Sequence, residues 1–421
     1  MSSIELALKV ILLFFVLVTI HEFGHFYFAK RAGILVREFA IGFGPKLFSH
    51  KKGETRYTLR LLPIGGFVRM AGEDPEQIEI KPGQTIVVKL NKEEQVSYLY
   101  MDQLDQRPSV IQGEVTEIDL THDLQMTMNV DGEMVTFSVH PQAMMVARGT
   151  ETQIAPYDRQ FGSKSVGKRA LSIVMGPVMN FLLAVVLFCV VVIMQGIPAN
   201  IKLDQVNAST PAQVAGLQAG DVITHVNGLQ VGADTTSLKQ MIQQSADKPM
   251  DWTVERGGQT LDLKVTPKLD KQQGSVLIGV VLGSDKRSAT AGEVLEGTWN
   301  NITSWTVNIL DGFKKLVFGE VKMDDLGGPV RIVQMTSEFA SHGLSYYLLW
   351  TAIFSLYLGL FNLLPFPALD GSRLVFLGIE AVRGKPIDPS RESLVHFVGF
   401  ALMMLLMVVV TYNDIVRLFT S

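Results

Sequence analysis

The sequence is poor in cysteine, since Cys189 is the one cysteine among 421 residues. A disulfide within the chain is therefore excluded, and a metal site built from cysteine thiolates is not expected. The chain also has little excess charge, −4 at pH 7, and it lacks a stretch of arginines interleaved with aromatic residues. These absences argue against nucleic-acid binding. Cys189 itself lies in an apolar run and fills space there as a small apolar side chain.

Long apolar stretches are abundant instead. Apolar residues make up 47% of the chain and the mean hydropathy is +0.25. Four stretches are long enough to cross a membrane as helices, which takes about 20 residues. They cover residues 6–29, 171–195, 344–369 and 395–412. The first is too long for a signal peptide, and it ends in His, Glu and His rather than in the small residues of a cleavage site.

The first apolar stretch contains the motif His21-Glu22-Phe-Gly-His25. On a helix the two imidazoles lie four residues apart on one face, so they can bind a single Zn²⁺, with Glu22 beside the metal-bound water as general base. Ionisable side chains at this depth in a membrane are costly and normally mark a functional site. The alternative is a chance match in which the histidines cap or pack the helix.

The distribution of lysine and arginine predicts the orientation in the membrane. Basic residues are concentrated in the connection after the first stretch and again after the third: Lys30, Arg31, Arg37, Lys46, Lys164, Lys168, Arg169, Arg373, Arg383, Lys385 and Arg391. By the positive-inside tendency both connections are cytoplasmic, and the termini and residues 199–344 face outward. Four basic residues oppose this orientation, although charges in long loops count for less: Lys314, Lys315, Lys322 and Arg331.

A catalytic zinc site uses three protein ligands and keeps one position open. Asp370, in the sequence Asn362-Leu-Leu-Pro-Phe-Pro-Ala-Leu-Asp370-Gly371 at the end of the third stretch, is the candidate for the third ligand. In the predicted orientation it lies at the same depth as both histidines, near the cytoplasmic side. A simple turn at the membrane surface is the alternative. The other histidines lie in polar loops or at span edges and receive no role: His50, His122, His140, His225, His342 and His396.

Together these motifs resemble the site-2 protease family of intramembrane zinc metalloproteases (peptidase M50), in particular the four-span bacterial regulator-of-sigma protease type with a PDZ region outside the cytoplasm. Three further segments match the family: Phe39-Ala-Ile-Gly-Phe-Gly44-Pro45, Arg60-Leu-Leu-Pro-Ile-Gly-Gly-Phe-Val68 and Gly176-Pro177-x-x-Asn180-Phe181. The resemblance covers nearly the whole chain, and residues 73–155 are its least diagnostic part.

The resemblance implies roles for individual residues. Zn²⁺ would be bound by His21, His25 and Asp370, water activated by Glu22, and the substrate backbone or developing oxyanion held by Asn362.

The resemblance also implies a substrate-binding β-structure. Gly65, Gly66 and Phe67 would belong to a re-entrant β-hairpin that pairs with the extended substrate by strand addition. An ordinary cytoplasmic hairpin fits the same residues equally well. Asn180 is either another group facing the substrate backbone or a helix-packing residue.

The segment after the second span has the pattern of a separate module. It predicts a strand, a short helix at 211–217, a strand at 221–226, a turn at Asn227-Gly228, a helix at 235–244 and a hairpin turning at Gly257-Gly258. The pattern resembles a PDZ domain of bacterial envelope proteases, whose groove accepts an extended chain. The module would bind a freshly cut C-terminus, exclude substrates with bulky outer domains, or act as a passive spacer.

The predicted fold class is a polytopic α-helical membrane protein with four transmembrane helices, a cytoplasmic β-rich insert including the re-entrant β-hairpin, and an extracytoplasmic α/β PDZ domain. The predicted boundaries are 1–30 for transmembrane helix 1 with the HExxH motif, 31–72 for a membrane-associated β region, 73–160 for the cytoplasmic β-rich insert, 168–196 for transmembrane helix 2, 199–268 for the PDZ domain, 269–343 for an extracytoplasmic linker and membrane-proximal segment, 344–382 for transmembrane helix 3 with the Leu-Asp-Gly motif, and 394–413 for transmembrane helix 4.

The predicted function is zinc-dependent intramembrane proteolysis in the bacterial inner (plasma) membrane. Substrates would be single-span membrane proteins or signal-peptide remnants, cut after a first cleavage by another protease; the family points to anti-sigma factors, peptide-signal precursors and stress-response signalling. Membrane lipids are the other expected partner. The alternative is a non-catalytic adaptor that recruits envelope proteins through its PDZ module. A transporter is a third possibility, disfavoured because internal repeats are absent.

Overall fold

The computed structural model describes residues 2–73, 80–102, 110–147, 149–270, 275–320 and 327–420. The chain divides into two compact units, one formed by residues 1–187 and 302–421 and the other by residues 188–301. In the described part of the chain four helices are long and apolar enough to cross a membrane, and all four overlap the predicted stretches: Ser3–Arg31, Val166–Gln195, Leu344–Asn362 and Ser390–Arg417.

The helices of the described residues follow in chain order: α1 (Ser3–Arg31), α2 (Val166–Gln195), α3 (Pro211–Val214), α4 (Thr235–Gln244), α5 (Ala291–Val317), α6 (Pro329–Ser341), α7 (Leu344–Asn362), α8 (Asp370–Arg383) and α9 (Pro389–Thr420). The first begins at a serine cap, because the Ser2 hydroxyl accepts the Glu5 N–H. It ends beside Lys30 and Arg31, whose charges favour a helix C-terminus.

The third span ends earlier than predicted. α7 stops at Asn362 and α8 begins at Asp370, so the range 344–382 is two helices joined by an irregular loop rather than one transmembrane helix. Pro365 and Pro367 explain the break, because proline disfavours helical conformation in the preceding residue and lacks the N–H that a helix needs. Gly371 allows close packing there, since a Cβ at this position would lie 2.3 Å from the Leu363 and Leu364 carbonyl oxygens.

Two long strands, β1 (Val36–Lys52) and β2 (Thr55–Met70), form a sheet of their own. Residues 38–41 of β1 have neighbours on both sides, since Phe39 lies opposite Val68 on one side and Tyr57 on the other. β2 therefore bends and returns near Gly65, whose φ is +80°. Among the described residues, 66–69 pair only with β1 and form an edge of this sheet.

The described part of the 73–160 insert is a small closed barrel, in agreement with its predicted β-rich character. Its strands are β3 (Thr85–Leu90), β4 (Val96–Tyr100), β5 (Ile111–Asp119), β6 (Gln125–Val130), β7 (Glu133–Ala147) and β8 (Thr150–Gln153). They follow the order β4-β3-β5-β6-β7-β8, and β4 also pairs in parallel with β7, which closes the barrel. Alternate residues such as Met126 and Met128 fill the interior, as the two-residue period of a strand requires.

The barrel holds the turn between β1 and β2 through Glu54. Its carboxylate accepts hydrogen bonds from the Arg159 guanidinium at 2.8 Å and from the Gln153 amide at 2.9 Å. The hydrogen bond from Arg159 is the main reason that the pKa of Glu54 is lowered to about 2. The turn is thereby fixed to the barrel by a charged contact.

The second unit contains an α/β module built on β9 (Ile197–Val206), β10 (Val222–Val226), β11 (Leu229–Gln230), β12 (Met250–Arg256), β13 (Gln259–Val265), β14 (Lys268–Asp270), β15 (Ser275–Leu277) and β16 (Val280–Arg287). We call residues 197–287 the PDZ-like module. Its main sheet has the order β13-β12-β10-β9-β16, and β11 pairs with β10. The order of helices and strands up to residue 265, including the turn at Gly257-Gly258, agrees with the prediction from sequence.

The predicted end of the module at residue 268 is wrong. β16 pairs with β9 along its whole length, and Val276 and Ile278 belong to the same apolar core as the fully buried Trp252. The module therefore continues to Arg287. The range 269–343, predicted as a linker, holds the last strands of the module and the helices α5 and α6.

A buried ion pair adds to the apolar core of the PDZ-like module. The Asp221 carboxylate is fully buried, and the Arg256 guanidinium donates to its two oxygens at 2.6 and 2.8 Å. The Gln218 N–H donates to the same carboxylate at 2.9 Å. Each oxygen of the buried charge is thus hydrogen-bonded, as burial of a carboxylate requires.

Candidate metal centre

Three side chains from two helices converge in the first unit. His21 and His25 lie four residues apart on α1, and their Nε2 atoms are 3.2 Å from each other. Asp370, the first residue of α8, places its Oδ2 atom 3.2 Å from His21 Nε2 and 3.4 Å from His25 Nε2. In the described part of the chain this is the group of His, Cys, Asp or Glu side chains that could hold a metal ion.

The spacing of these three atoms fits a zinc ion. Zinc binds histidine nitrogen and carboxylate oxygen at about 2.0–2.1 Å in tetrahedral sites, which separates neighbouring ligand atoms by about 3.3 Å. The three separations observed here, 3.2, 3.2 and 3.4 Å, agree with that value. Three ligands of this type also match the donor set of a catalytic site, which leaves a fourth position open.

Each imidazole has a partner for its second nitrogen. His25 Nδ1 lies 2.9 Å from the Ser172 carbonyl oxygen, so Nδ1 carries the proton and donates it there. His25 Nε2 is then unprotonated and presents its lone pair to the centre. The backbone of α2 therefore selects the tautomer of His25 that can bind a metal.

Asn180 of α2 is the partner of His21 Nδ1, as the Ser172 carbonyl is the partner of His25 Nδ1. Its side-chain amide lies 3.4 Å from His21 Nδ1, and its Oδ1 atom is buried without a hydrogen bond. An amide turned by 180° places Oδ1 toward His21, where it accepts the Nδ1–H of an imidazole whose Nε2 faces the centre. Asn180 is fully buried. Its contact with a substrate backbone stays a prediction.

Glycines allow α1 and α2 to approach closely at this centre. A Cβ on Gly24 would lie 2.2 Å from the Met175 carbonyl oxygen, and a Cβ on Gly176 would lie 2.2 Å from His25 Nε2. Small residues permit such contacts between helices in membranes. The backbone of α2 at Gly176 is thus one wall of the pocket that holds the His25 ring.

Glu22 follows His21 on α1 and is buried, with 8% of its surface exposed. The edge segment 66–69 lies beside it: a Cβ on Gly66 would be 2.8 Å from Glu22 Cγ and 2.9 Å from Val18 Cγ1. The absence of a side chain at Gly66 therefore lets the sheet edge contact the candidate base directly.

Comparison with known proteins identifies the family. The sequence matches peptidase family M50 over residues 9–406. The chain belongs to this family. Membership confirms the family recognised from the sequence motifs, and it confirms the predicted class of enzyme, a peptidase.

Relatives of this M50 peptidase are similar along nearly its full length. They include the Zinc metalloprotease RasP of Oceanobacillus iheyensis, 46% identical over 420 residues and covering 97% of this chain and 98% of the relative. The Regulator of sigma-W protease RasP of Bacillus subtilis is 46% identical over 416 residues, with coverage of 97% and 98%. The Probable protease eep of Enterococcus faecalis is 39% identical over 419 residues, with the same coverage.

Solved structures also resemble part of the M50 chain. The PDZ domain of the SdrC-like protein of Listeria monocytogenes is 21% identical, with a TM-score of 0.18, and the match covers 20% of this chain and 87% of that domain.

The remaining predicted site residues of the M50 peptidase lie in different surroundings. Gly65 packs on Phe43, whose ring would be 2.4 Å from a Cβ at Gly65. Phe67 lies between two guanidinium groups, those of Arg60 at 5.1 Å and Arg69 at 5.7 Å from its ring centre. Asn362 is half-buried at the end of α7, and none of the side-chain hydrogen bonds described for residues 327–420 involves it. Its role with substrate stays a prediction.

The sequence assigned no role to His396, but the structure gives it a contact near the metal centre. It lies on α9, and its Nδ1 accepts the Ala368 N–H at 3.1 Å, two residues before Asp370. No local pattern marks this contact, because its two partners are 28 residues apart and on different elements. Ser172 was missed for the same reason, since its contact with His25 uses a backbone oxygen.

Proposed function

We propose that this M50 peptidase is a zinc-dependent intramembrane endopeptidase that cleaves transmembrane segments of single-span membrane proteins or remnant signal peptides. One observation carries the proposal. The ligand atoms of His21, His25 and Asp370 form a triangle with sides of 3.2 to 3.4 Å beside the buried Glu22, on a helix apolar enough to cross a membrane. The names of the relatives, which include zinc metalloproteases, support zinc as the ion.

His21, His25 and Asp370 would hold Zn²⁺, and the bound ion would supply a Lewis acid that lowers the pKa of a water molecule at the centre to about 7. Glu22 stands next to His21 and supplies the general base: it takes the proton of the attacking water and passes it to the leaving amine. Ser172 holds the His25 imidazole in the tautomer that points Nε2 inward, and Asn180, with its amide turned by 180°, would do the same for His21. Burial of Glu22 excludes bulk water from the proton transfer.

A transmembrane substrate must first be unwound, because its peptide bonds are hydrogen-bonded within its own helix. The edge segment 66–69 offers a partner for the unwound strand, since its backbone pairs with β1 on one side and lies against Glu22 through Gly66. Pairing there would bring a substrate peptide bond to the metal centre. Asn362 would hold the substrate backbone or the developing oxyanion.

The sheet of β1 and β2 is proposed to re-enter the membrane. Large apolar side chains are exposed on it near the bend: Phe43, Leu47, Phe48, Leu61 and Leu62. Exposed apolar patches of this kind mark contact with lipid or a partner. Their placement supports a sheet edge that reaches a substrate inside the lipid phase.

The proposed location is the bacterial inner membrane, with the metal centre near the cytoplasmic side and the PDZ-like module outside. The excess of Lys and Arg in the connections after the first and third spans supports this orientation. One relative is named a regulator of sigma-W protease, which supports anti-sigma factors as a substrate class. Cleavage would follow a first cut, and the PDZ-like module would bind the new end or exclude uncut substrates.

The replacement Glu22→Gln tests the mechanism. In purified enzyme with a model single-span substrate, we expect cleavage to fall by about 10²–10⁴-fold, because a general base contributes on that order. Zinc content should stay equal to that of the unaltered enzyme, since Glu22 is not a ligand. Glu5→Gln is a matched control on the same helix, because Glu5 is exposed and contacts Lys9.

Metal removal distinguishes a zinc-dependent enzyme from a non-catalytic adaptor. Chelation should stop cleavage and added zinc should restore it, whereas an adaptor would bind its partners without turnover. Asp370→Asn should lower zinc content as well as cleavage. Unchanged cleavage by the Glu22→Gln protein would refute the proposed base, and a zinc-free but active enzyme would refute the metal centre.

A further inference from the structure

The loop between α7 and α8 ends in a strained conformation. Ala368 has a φ of +77°, in the left-handed region that a residue with a Cβ atom rarely adopts. Leu369 follows and is buried, and Asp370 then begins α8. The conformation at Ala368 therefore sets the direction in which the chain enters α8, and with it the position of the Asp370 carboxylate.

A side chain from α9 holds this conformation. His396 Nδ1 accepts the Ala368 N–H at 3.1 Å. An acceptor at Nδ1 requires the proton on Nε2, which faces the Glu392 carboxylate 3.6 Å away on the preceding turn of α9. Phe376 of α8 packs against the edge of the same imidazole, with ring centres 5.7 Å apart. The ring is thus held by one hydrogen bond to the loop and by packing against Phe376 of α8.

A second contact from α9 touches the same loop. Gly399 lies one turn beyond His396, and a Cβ there would be 2.2 Å from Pro367 Cβ and 2.7 Å from the Pro367 carbonyl oxygen. The backbone of α9 therefore supports Pro367 directly, immediately before the strained residue. His396 and Gly399, one turn apart on α9, thus contact the adjacent loop residues Ala368 and Pro367.

We infer that His396 is a positioning residue for Asp370: by accepting the Ala368 N–H it keeps the loop in the conformation that directs the carboxylate toward His21 and His25. The inference rests on the proposed metal centre. Without the acceptor, the Ala368 N–H loses its partner and the residue can relax toward the right-handed region. The fourth span is then part of the metal centre, although it supplies no ligand.

Three replacements of His396 test the hydrogen bond. Purified full-length variants are titrated with a zinc chelator, and bound zinc is measured. His396→Leu should bind zinc about 10–100-fold more weakly, as expected when an outer partner of a metal ligand is removed. His396→Asn should stay near the affinity of the unaltered enzyme, because its Oδ1, like Nδ1, is bonded to Cγ. His396→Gln places its oxygen one bond further and should resemble His396→Leu.

A second replacement tests the strain. Glycine adopts positive φ without a steric cost. Ala368→Gly should therefore recover about five- to tenfold of the zinc affinity lost in His396→Leu, on the order of the steric penalty removed. In the unaltered enzyme the same change should have less than about a twofold effect, since His396 already holds the loop.

A third comparison tests the backbone contact. Gly399→Ala should weaken zinc binding because its methyl group would collide with Pro367. Gly378→Ala on α8 is the matched control, because a Cβ at Gly378 meets nothing within 4 Å. If His396→Leu fails to fold, as judged by size-exclusion chromatography, the Gly399 pair and the comparison of His396→Asn with His396→Gln decide the question.

The outcomes separate this inference from the proposed function. An unaltered enzyme that binds no zinc would refute the metal centre itself. An enzyme that binds zinc, with His396→Leu and Gly399→Ala binding equally tightly, would overturn the positioning role and leave the centre intact. Equal weakening by Asn, Gln and Leu at position 396 would also overturn it, because the acceptor at Nδ1 would then be irrelevant.

Discussion

Glycine serves different purposes around the metal centre and in four turns of the PDZ-like module. Around the metal centre, five glycines have no room for a Cβ atom, which would come within 2.2 to 2.8 Å of a neighbouring atom: Gly24, Gly66, Gly176, Gly371 and Gly399. None of the five has a φ in the left-handed region. They are glycines because another backbone or a functional side chain occupies the space.

In the PDZ-like module the glycines of the turns have space but an unusual backbone. Gly220, Gly228, Gly257 and Gly258 all have positive φ, and a Cβ on any of them would meet nothing within 4 Å. They are glycines because their turns need left-handed conformation.

The difference follows from the surroundings of each unit. Helices in lipid gain little from burying apolar side chains, so they associate through close backbone contact at small residues. A module in water gains stability from an apolar core, here one that contains Trp252, and the four turn glycines serve the backbone conformation of its turns. Replacing these glycines by alanine should therefore affect metal binding around the centre and stability alone in the turns of the PDZ-like module.

The largest effect is expected at the wall of the His25 pocket. Gly176→Ala would place a methyl group where the His25 ring lies, so we expect zinc affinity to fall by about 10²-fold, the upper end of the range for loss of a ligand's support. Bound zinc after chelator titration is the measurement. Gly167→Ala on the same helix is the control, because a Cβ there meets nothing within 4 Å. Equal zinc binding by both variants would contradict the close-contact role.

A smaller effect, confined to the PDZ-like module, is expected at its buried ion pair. Asp221→Asn leaves the Arg256 guanidinium without its counter-charge and should destabilise the module by about 2–3 kcal/mol. Hydrogen exchange of module peptides in the full-length protein measures this, and zinc content should not change. A change in bound zinc would contradict the expectation that the stability of the PDZ-like module and zinc binding are independent.

The ion pair of Asp221 and Arg256 also predicts how the stability of the PDZ-like module changes with pH. Burial raises the pKa of Asp221, but the hydrogen bonds from Arg256 and Gln218 together lower this pKa by more than burial raises it. The net pKa of Asp221 therefore lies below the ordinary value. The stabilisation is therefore complete above about pH 4, the value expected for an unfolded chain, and is lost as the pH falls through the lower folded value. Asp221→Asn should remove this acid dependence.

The smallest effect is expected at a turn glycine. Gly258→Ala keeps open space around the new methyl group but forces alanine to a φ of +81°, which costs about 1 kcal/mol. Hydrogen exchange in β12 and β13 should report this loss. Gly258→Asn is the control and should cost less, because asparagine tolerates left-handed conformation. Equal losses for both residues would show that space, not backbone conformation, limits this position.

Local patterns predicted most of the elements. The four-residue spacing of His21 and His25 lies within one helix, so their common face follows from helical geometry alone. The helices and strands of the PDZ-like module up to residue 265 agree with patterns of a few residues, such as the Gly257-Gly258 turn. The convergence of Asp370 with the histidines was predicted from charge bias and ligand chemistry, and the structure brings their ligand atoms together. Their binding of zinc stays a prediction.

Contacts between segments that are far apart along the chain were not predicted from the sequence. The pairing of β16 with β9 joins strands that are far apart along the chain, so the end of the module was placed too early. The break after Asn362 was missed because an apolar run continues across the prolines. Asn180 was singled out in the sequence, but its buried place beside His21 depends on how α2 packs on α1.

The sequence by itself determined that the chain has four apolar helices, a pair of metal-ligand candidates on the first, and a separate α/β module, because each of these depends on residue type and short-range periodicity. Only the tertiary structure decided which side chains hold the metal-ligand candidates in place. His396 reaches the loop before Asp370, and Ser172 reaches His25, through contacts between separate helices. Such contacts depend on the packing of backbones in three dimensions, and no short sequence pattern encodes them.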